Sequence, residues 1–356
     1  MKAFYTLILA FFINLSFGQN QISVDQNGFV NITGGTISLH NTNIQNDGQI
    51  KGTSSEIKVS GDQLIRFDGK GSYDLSSLSI DLSEKLYIDQ DINIQETLLI
   101  ESGIININSS ILWLGEEKGN ILGENNENYL IASSNGMVIK PFHFKSPLGF
   151  DPGKLGLELT SKEDLGSAQL IRTHDQMMLE GTQSVRRNYE LITENSKSES
   201  LYLKAHYREQ EVNSPLNDPT IWRVDPQGIQ NLFSFGKGTN GLKGNYVEAE
   251  IKGPLSIFTI GESSLATDLS STPTAFTPNG DGKNDVFVIP FLEQFSDARV
   301  MIFNRWGEKV YESDNYVLNP WDGKWKGRTL DPNTFYFKVK VSGQRKSIDG
   351  KISIVK

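Results

Sequence analysis

Three short polar side chains that could bind a metal ion lie in a glycine-rich loop near the carboxyl end of the chain. Asn279, Asp281 and Asp285 fall at alternate positions of this loop. Their oxygen atoms are of the kind that Ca²⁺ prefers, and they could converge on one hard cation. Lys283, however, occupies a middle ligand position, and no bidentate glutamate follows at the expected distance. The alternative interpretation is a rigid turn, in which Pro278 and the Asn-Gly and Asp-Gly dipeptides set the backbone.

A second group with possible chemistry is the carboxylate pair Asp89 and Asp91, which lie in phase on either side of Gln90. Two carboxylates that face each other across a sugar chain can divide the roles of acid and base in polysaccharide cleavage. Alternate aspartates on the wet face of a strand are more commonly just solvated. The pair therefore supports only a secondary, enzymatic hypothesis.

Other catalytic or metal-ligating patterns are missing from the sequence. There are no cysteines, which excludes disulfides, thiolate metal sites and cysteine nucleophiles. The four histidines lack the spacing of zinc sites, and Ser184 is not part of a Gly-x-Ser-x-Gly nucleophile elbow. We therefore predict that the protein is not an enzyme and requires no cofactor, with Ca²⁺ as its one candidate ligand.

The charge is distributed unevenly along the 356 residues. The formal net charge is −9, yet residues 274–356 contain 13 Lys/Arg and 10 Asp/Glu and so carry +3, which leaves −12 on residues 1–273. An acidic body argues against nucleic acid or an anionic membrane as its partner.

The amino terminus has the pattern of a secretory signal peptide. Lys2 precedes an apolar run from Ala3 to Leu15, and Ser16 and Gly18 provide small residues for cleavage. Cleavage after Gly18 would leave a mature chain that begins at Gln19. No other stretch is as apolar, so we expect no membrane span in the mature protein.

Short apolar pairs, separated by Gly, Asn, Asp and Ser, recur through residues 19–140. They are Ile37/Leu39, Ile57/Val59, Leu78/Ile80, Leu86/Ile88, Ile92/Ile94, Leu98/Ile100, Ile105/Ile107 and Leu112/Leu114. Two inward residues per strand with polar corners are typical of the rungs of a parallel β-solenoid. Because no strict period is present, a twisted antiparallel meander is the alternative.

The rest of the chain is also predicted to be all-β. Alternating strands and hairpin turns indicate a β-sandwich over residues 141–264. A small polar linker follows at 265–273. Residues 274–356 are predicted to form a small, immunoglobulin-like β-sandwich, with Trp306 and Trp321 as anchors of its core.

The motifs of this last domain match a known family in order and spacing. They are Phe276–Asp285 (FTPNGDGKND), Ile302–Glu308 (IFNRWGE), Trp321–Gly323 (WDG), Thr334–Phe337 (TFYF) and the final strand, Gly350–Lys356. The segment resembles the gliding-motility-associated, type B C-terminal sorting domain of proteins exported by the type IX secretion system of Bacteroidota. The resemblance implies that the outer-membrane translocon is a partner and that the protein reaches the cell surface or the medium, through the periplasm.

The basic strand residues Lys338, Lys340 and Lys351 are candidates for docking to the translocon. For the body we expect a non-enzymatic adhesive or structural surface protein, with surface polysaccharide or other surface components as possible partners. The alternative is a polysaccharide lyase or hydrolase on the solenoid region.

Overall fold

A computed structural model describes residues 20–133, 135–179, 182–195, 197–225, 228–232, 236–239, 244–263, 272–290, 292, 298–340 and 347–355, and the backbone of 8–10 and 13–14. The chain divides into two compact units, the first reaching to Glu262 and the second dominated by Ser263–Lys356. Both are almost entirely β structure, which confirms the predicted fold class. Most of the predicted linker, residues 265–271, lies outside the described residues.

Thirteen strands make up the amino-terminal part of the first unit. They are β1 (Ile8–Ala10), β2 (Ile13–Asn14), β3 (Gln21–Val24), β4 (Phe29–His40), β5 (Asn43–Asn46), β6 (Gln49–Gly61), β7 (Ile65–Asp68), β8 (Ser72–Ile88), β9 (Ile92–Asn106), β10 (Ile111–Leu114), β11 (Asn120–Leu122), β12 (Tyr129–Ile131) and β13 (Met137–Lys145). From β3 onward their pairing is parallel up to β13.

These strands stack into a solenoid with three faces. The first face contains β3, β5, β7, the ends of β8 and β9, and β12. The second contains the starts of β4, β6, β8 and β9, then β10 and β13, and the third contains the later parts of β4, β6, β8 and β9, and β11. The parallel pairing confirms the solenoid and excludes the antiparallel meander.

The rungs differ in length, which explains why the sequence shows no strict period. The register places Tyr73 opposite Ile92, 19 residues later, whereas Leu112 lies opposite Val138, 26 residues later. The additional residues lie in the corners, where they do not disturb the stacked strands. The rungs therefore repeat regularly in the structure although the number of residues per rung varies.

The interior of the solenoid is a continuous column of aliphatic side chains. Ile57, Leu78 and Leu98 pair across successive rungs on the third face, and each is at most 4% exposed. Burying one such side chain contributes about 1.5–3 kcal/mol to the free energy of unfolding. Because a single rung buries these residues only against its neighbours, the rungs stabilise each other in series.

Asparagine and aspartate residues at the corners link one rung to the next. The side-chain oxygen of Asn43 accepts the N–H of Arg66 at 2.8 Å, and that of Asp47 accepts the N–H of Lys70 at 3.0 Å. These bonds satisfy backbone donors where the chain turns and the strand ladder is interrupted. Glycine is needed where backbones approach most closely, since a Cβ at position 71 would lie 2.1 Å from the carbonyl oxygen of Gly48.

Strand β13 joins the solenoid to the next layer. It pairs in parallel with β10 and, along its whole length, antiparallel with a strand of the following region. The predicted boundary between residues 140 and 141 therefore falls inside a strand that is shared by both parts. At the other end, β1 and β2 pair antiparallel with β4 and β3.

The second region of this unit is a sandwich of two antiparallel sheets. Its strands are β14 (Leu157–Ser161), β15 (Asp164–Thr173), β16 (Met178–Leu179), β17 (Thr182–Gln183), β18 (Asn188–Thr193), β19 (Lys197–Tyr207), β20 (Pro219–Asp225), β21 (Gly228–Asn231), β22 (Gly236–Thr239), β23 (Asn245–Pro254) and β24 (Ile257–Glu262), with 3₁₀ turns at Pro152–Lys154 and Glu209–Glu211. One sheet continues from β13 through β15, β18, β24 and β20 to β21, and the other has the order β14-β19-β23-β22.

A buried network of ion pairs ties the last corner of the solenoid to the sandwich. Glu124 follows β11, and its carboxylate lies 2.7 Å from Arg172 of β15 and 3.2 Å from Arg208, which follows β19. Arg208 and Arg187 both reach Glu211. Burial alone would raise the pKa of Glu124, but the arginines outweigh it and hold this pKa well below its usual range. Removing one member of such a network costs about 3–5 kcal/mol because its partners stay buried and unpaired.

Lys140 of β13 fixes the adjacent corner of the solenoid. Its ammonium group donates to the carbonyl oxygens of Gly115 and Glu116 at 2.6 and 2.8 Å, and the residue is only 2% exposed. Burial lowers the pKa of Lys140 to about 8 from its ordinary value of 10.5. The folded protein therefore releases this proton at a lower pH than the unfolded chain does.

We predict that Lys140 makes the protein more stable as the pH rises from about 8 towards 10.5. In this range the unfolded state binds more protons than the folded state, so the contribution to the free energy of unfolding increases with pH. Thermal unfolding of wild type and Lys140→Gln between pH 7 and 10 measures the effect, with the exposed Lys145→Gln on the same strand as the control. Parallel curves for wild type and Lys140→Gln would contradict it.

The second compact unit is built on one five-stranded sheet. The strands of the whole unit are β25 (Ala275–Phe276), β26 (Arg299–Phe303), β27 (Lys309–Ser313), β28 (Lys324–Trp325), β29 (Arg328–Thr329), β30 (Asn333–Lys340) and β31 (Ile348–Ile354). The sheet order is β25-β31-β30-β26-β27, and β28 and β29 form a separate hairpin. The core lies between the inner face of the sheet and the chain around Phe287 and Trp321, which form an isolated bridge.

Candidate functional site

Trp321 is the centre of an aromatic core in the second unit. Its ring centroid lies 5.0 Å from that of Phe335 and 5.4 Å from that of Phe276, and the residue is fully buried. The indole N–H donates to the carbonyl oxygen of Lys324 at 3.0 Å, so its one polar group is satisfied. This is the core position that the sequence predicts for Trp321.

Trp306 is placed differently, and its prediction as a core anchor is wrong. The indole is 83% exposed at the tip of the β26–β27 hairpin. The side-chain oxygen of Asn304 accepts the N–H groups of Trp306 and Glu308 at 2.9 and 3.0 Å. This closes a tight turn, which projects the residue at its tip into solvent. The Asn-Arg-Trp-Gly turn pattern is the sequence signal that indicates a hairpin tip rather than a buried position.

In the loop before β26, the candidate metal ligands face backbone amides. The carboxylate oxygens of Asp285 accept the N–H groups of Gly280 and Gly282 at 2.6 and 2.7 Å. Asn279 and Asp281 each accept a backbone N–H two residues further along the chain, and the Asn279 amide also donates to Asp281. Donation from Gly280 and Gly282 lowers the pKa of Asp285, so this carboxylate is ionised at neutral pH.

This geometry does not fit a calcium site well. The oxygens are directed at N–H donors of their own loop, and no group of three or more acidic or histidine side chains within the described residues could hold a metal ion. The loop instead forms a backbone nest around the anionic Asp285. The arrangement favours the rigid turn, and a role for Ca²⁺ stays a prediction.

We predict that Asp285→Ala loosens the loop that opens the second unit. Removal of the carboxylate leaves the N–H groups of Gly280 and Gly282 without their acceptor. Because the pKa of Asp285 is lowered, its contribution is present at neutral pH and is lost as the pH falls through the folded-state pKa.

Limited proteolysis of the full-length protein measures this effect as faster cleavage within residues 277–285. Asp331→Ala removes the same charge from an exposed position of the same unit and should leave the cleavage rate unchanged. Equal rates for wild type and Asp285→Ala would show that the nest is not needed. Repeating the digestion with Ca²⁺ and with a chelator tests the calcium prediction on the same samples.

The three lysines proposed for docking are brought together on the outer face of the sheet. Lys338 and Lys340 alternate along β30, with buried Val339 between them on the inner face. Lys351 of β31 pairs with Tyr336 of β30 and so shares their face. Sequence alternation was sufficient to place these residues on one side.

The carboxylates considered for catalysis have structural partners in the solenoid. Asp89 forms an ion pair with Arg66 at 3.1 Å and accepts a hydrogen bond from Asn108 of a following rung. Asp91 accepts the N–H of Ile111 at 2.8 Å, again from a following rung. Both aspartates therefore belong to the corner bonds between rungs.

Comparison with known families identifies the second unit. Residues 270–354 match the model of the CHU_C type IX secretion signal domain. This segment is a type IX secretion signal domain. The predicted resemblance is confirmed, and the domain supports export by the type IX system to the cell surface or the medium.

The signal domain accounts for about a quarter of the chain. No curated protein and no solved structure shows significant similarity to the chain. In the part of the chain that the structure describes, no helix has the length and apolarity required to cross a membrane.

Proposed function

We propose that this protein is a type IX secretion cargo whose solenoid and sandwich act at the cell surface or in the medium as a non-enzymatic adhesive or structural element. The observation that carries the proposal is the use of the solenoid's polar side chains. Several of its outward carboxylates bind the neighbouring rungs, as Asp89 and Asp91 do. The signal domain directs export, and the solenoid and sandwich provide a long, regular surface.

The third face of the solenoid illustrates what this surface offers. Glu56 accepts hydrogen bonds from Thr36 and Ser79 on the rungs to either side, and Lys58 pairs with Glu101 at 2.9 Å across the stack. The result is a ladder of polar groups with both signs of charge. Such a face remains wet and fixed in shape, which suits contact with polysaccharide, with other surface components or with further copies of the protein.

The route begins, in this proposal, with removal of residues 1–18 during passage into the periplasm. The signal domain then interacts with the type IX translocon in the outer membrane. The basic outer face of its sheet is the candidate contact surface.

Truncation tests the export part of the proposal. In a host with the type IX machinery, we expect the full-length protein to reach the surface or the medium, and a chain that ends at Ser263 to stay in the periplasm. Fractionation of the three compartments measures the distribution, and protease resistance of the retained protein controls for folding. Export of the truncated chain would contradict the assignment of the signal.

Substitution of the solenoid aspartates tests the non-enzymatic part. Asp89→Asn and Asp91→Asn weaken bonds between rungs, so we expect a lower melting temperature. We also expect the mature wild-type protein to bind surface polysaccharide, matrix or itself without shortening any polysaccharide chain.

Two outcomes would count against this view. Absence of binding to all three partners would contradict an adhesive role. Depolymerisation of a polysaccharide by the wild type, abolished by either substitution at unchanged melting temperature, would establish the lyase or hydrolase alternative.

A further inference from the structure

A shallow groove crosses the outer face of the signal domain. It has a volume of about 580 Å³ and is lined by Phe303–Arg305, Gly307, Tyr336–Lys338 and Asp349–Lys351. One wall is the β26–β27 hairpin, and the other is formed by β30 and β31. The floor includes the backbone of Gly350, a residue whose Cβ would point to the inner face of the sheet and lie 2.2 Å from the ring of its pairing partner, Phe337.

Tyr336 lines this groove, and Trp306 lies between two residues that do, Arg305 and Gly307. Tyr336 is 45% exposed on the face itself, and Trp306 is 83% exposed on the hairpin that forms one wall. The guanidinium carbon of Arg305 lies 5.7 Å from the centroid of the Trp306 ring. Exposed tryptophan, tyrosine and arginine are the residue types that contribute most binding energy at protein interfaces.

The same surface carries positive charges that have no ion-pair partner among the described residues of the domain. Of its lysines, Lys338 has a carboxylate partner, Asp349, at 3.8 Å. Among the ion pairs of the described residues, none involves Arg305, Lys340 or Lys351. The opposite arrangement is seen at Arg299, which is paired with both Glu312 and Asp314 on the neighbouring strand.

We propose that this groove binds an acidic segment of a protein of the secretion machinery, with Trp306 as the anchor and Lys351 and Arg305 as the charged contacts. Charge complementarity selects the occupant, because unpaired cations beside exposed rings favour carboxylates next to apolar side chains. The inference rests on the proposed export function and adds to it the surface and the chemistry of the partner. It extends the sequence-based prediction of the three lysines by an aromatic anchor.

Two single substitutions in the full-length protein test the groove. Trp306→Ala removes an exposed ring that makes no contact with the core, and Lys351→Glu reverses one of the unpaired charges. We expect each to lower affinity for the machinery ~10- to 30-fold, as the loss of a substantial interface contact does, and to raise the periplasmic fraction accordingly. Lys283→Glu makes the same charge change in the exposed loop away from the groove and should be exported normally.

A photo-crosslinking amino acid at position 306 tests the partner without relying on loss of function. We expect an adduct with a protein component of the type IX machinery, mapped by mass spectrometry to an acidic segment, and no such adduct from position 283. An adduct with lipopolysaccharide or phospholipid, or with a basic or neutral protein segment, would overturn the proposal.

The results separate the groove from the export function on which it rests. If truncation at Ser263 blocks export while Trp306→Ala and Lys351→Glu are exported like wild type, the proposed role of the groove is wrong and the export function stands. If the truncated chain is exported, the export function itself has failed. Melting temperatures of the variants, expected to equal that of wild type, establish that retention reflects lost binding.

Discussion

The parallel stacking of rungs is the constraint on which the larger unit depends. Neighbouring strands must lie about 4.8 Å apart, so every corner has to repeat at that spacing as well. At the corners the backbone turns away from the ladder, and its N–H groups need other acceptors. Asn43, Asp47 and Asp91 provide these from an adjacent rung. Glycine provides the clearance at positions 48 and 71, where backbone atoms of successive rungs nearly touch.

The same constraint decides how much of this unit the sequence can predict. Inward pairs such as Leu78/Ile80 and Leu98/Ile100 reveal two buried residues per strand, and this was sufficient to predict a solenoid. The register between the strands of successive rungs could not be predicted from the sequence, because the number of residues per rung changes with the length of each corner. The buried contacts of Glu124 with Arg172 and Arg208 were also hidden, since they join residues that are far apart in sequence and look like ordinary surface charges.

In the signal domain, local sequence patterns predict more of the structure than they do in the solenoid. The alternation along β30 placed Phe335 and Phe337 inside and the lysines outside, as the structure has them. Trp306 shows the limit of such reasoning. A tryptophan is expected in the core because it is large and apolar. Here the turn closed by Asn304 fixes Trp306 at the tip of a hairpin, where it cannot reach the core. The short polar side chains of the loop at 277–285 were ambiguous for a related reason, since the same residue types bind cations and cap backbone turns.

The anchoring of the carboxyl end of the solenoid has a consequence for the order of folding, because β1 and β2, which pair at the other end, lie within the predicted signal peptide. In a linear stack each rung becomes stable only when it lies against an ordered neighbour, and folding propagates from the place where it nucleates. A rung that is fixed from outside the stack favours nucleation at that place. Here the sandwich fixes the last rung, through the shared strand β13 and the contacts of Glu124. The first rung to be synthesised is therefore expected to be the last to become ordered, and the stack to assemble from its carboxyl end towards its amino end.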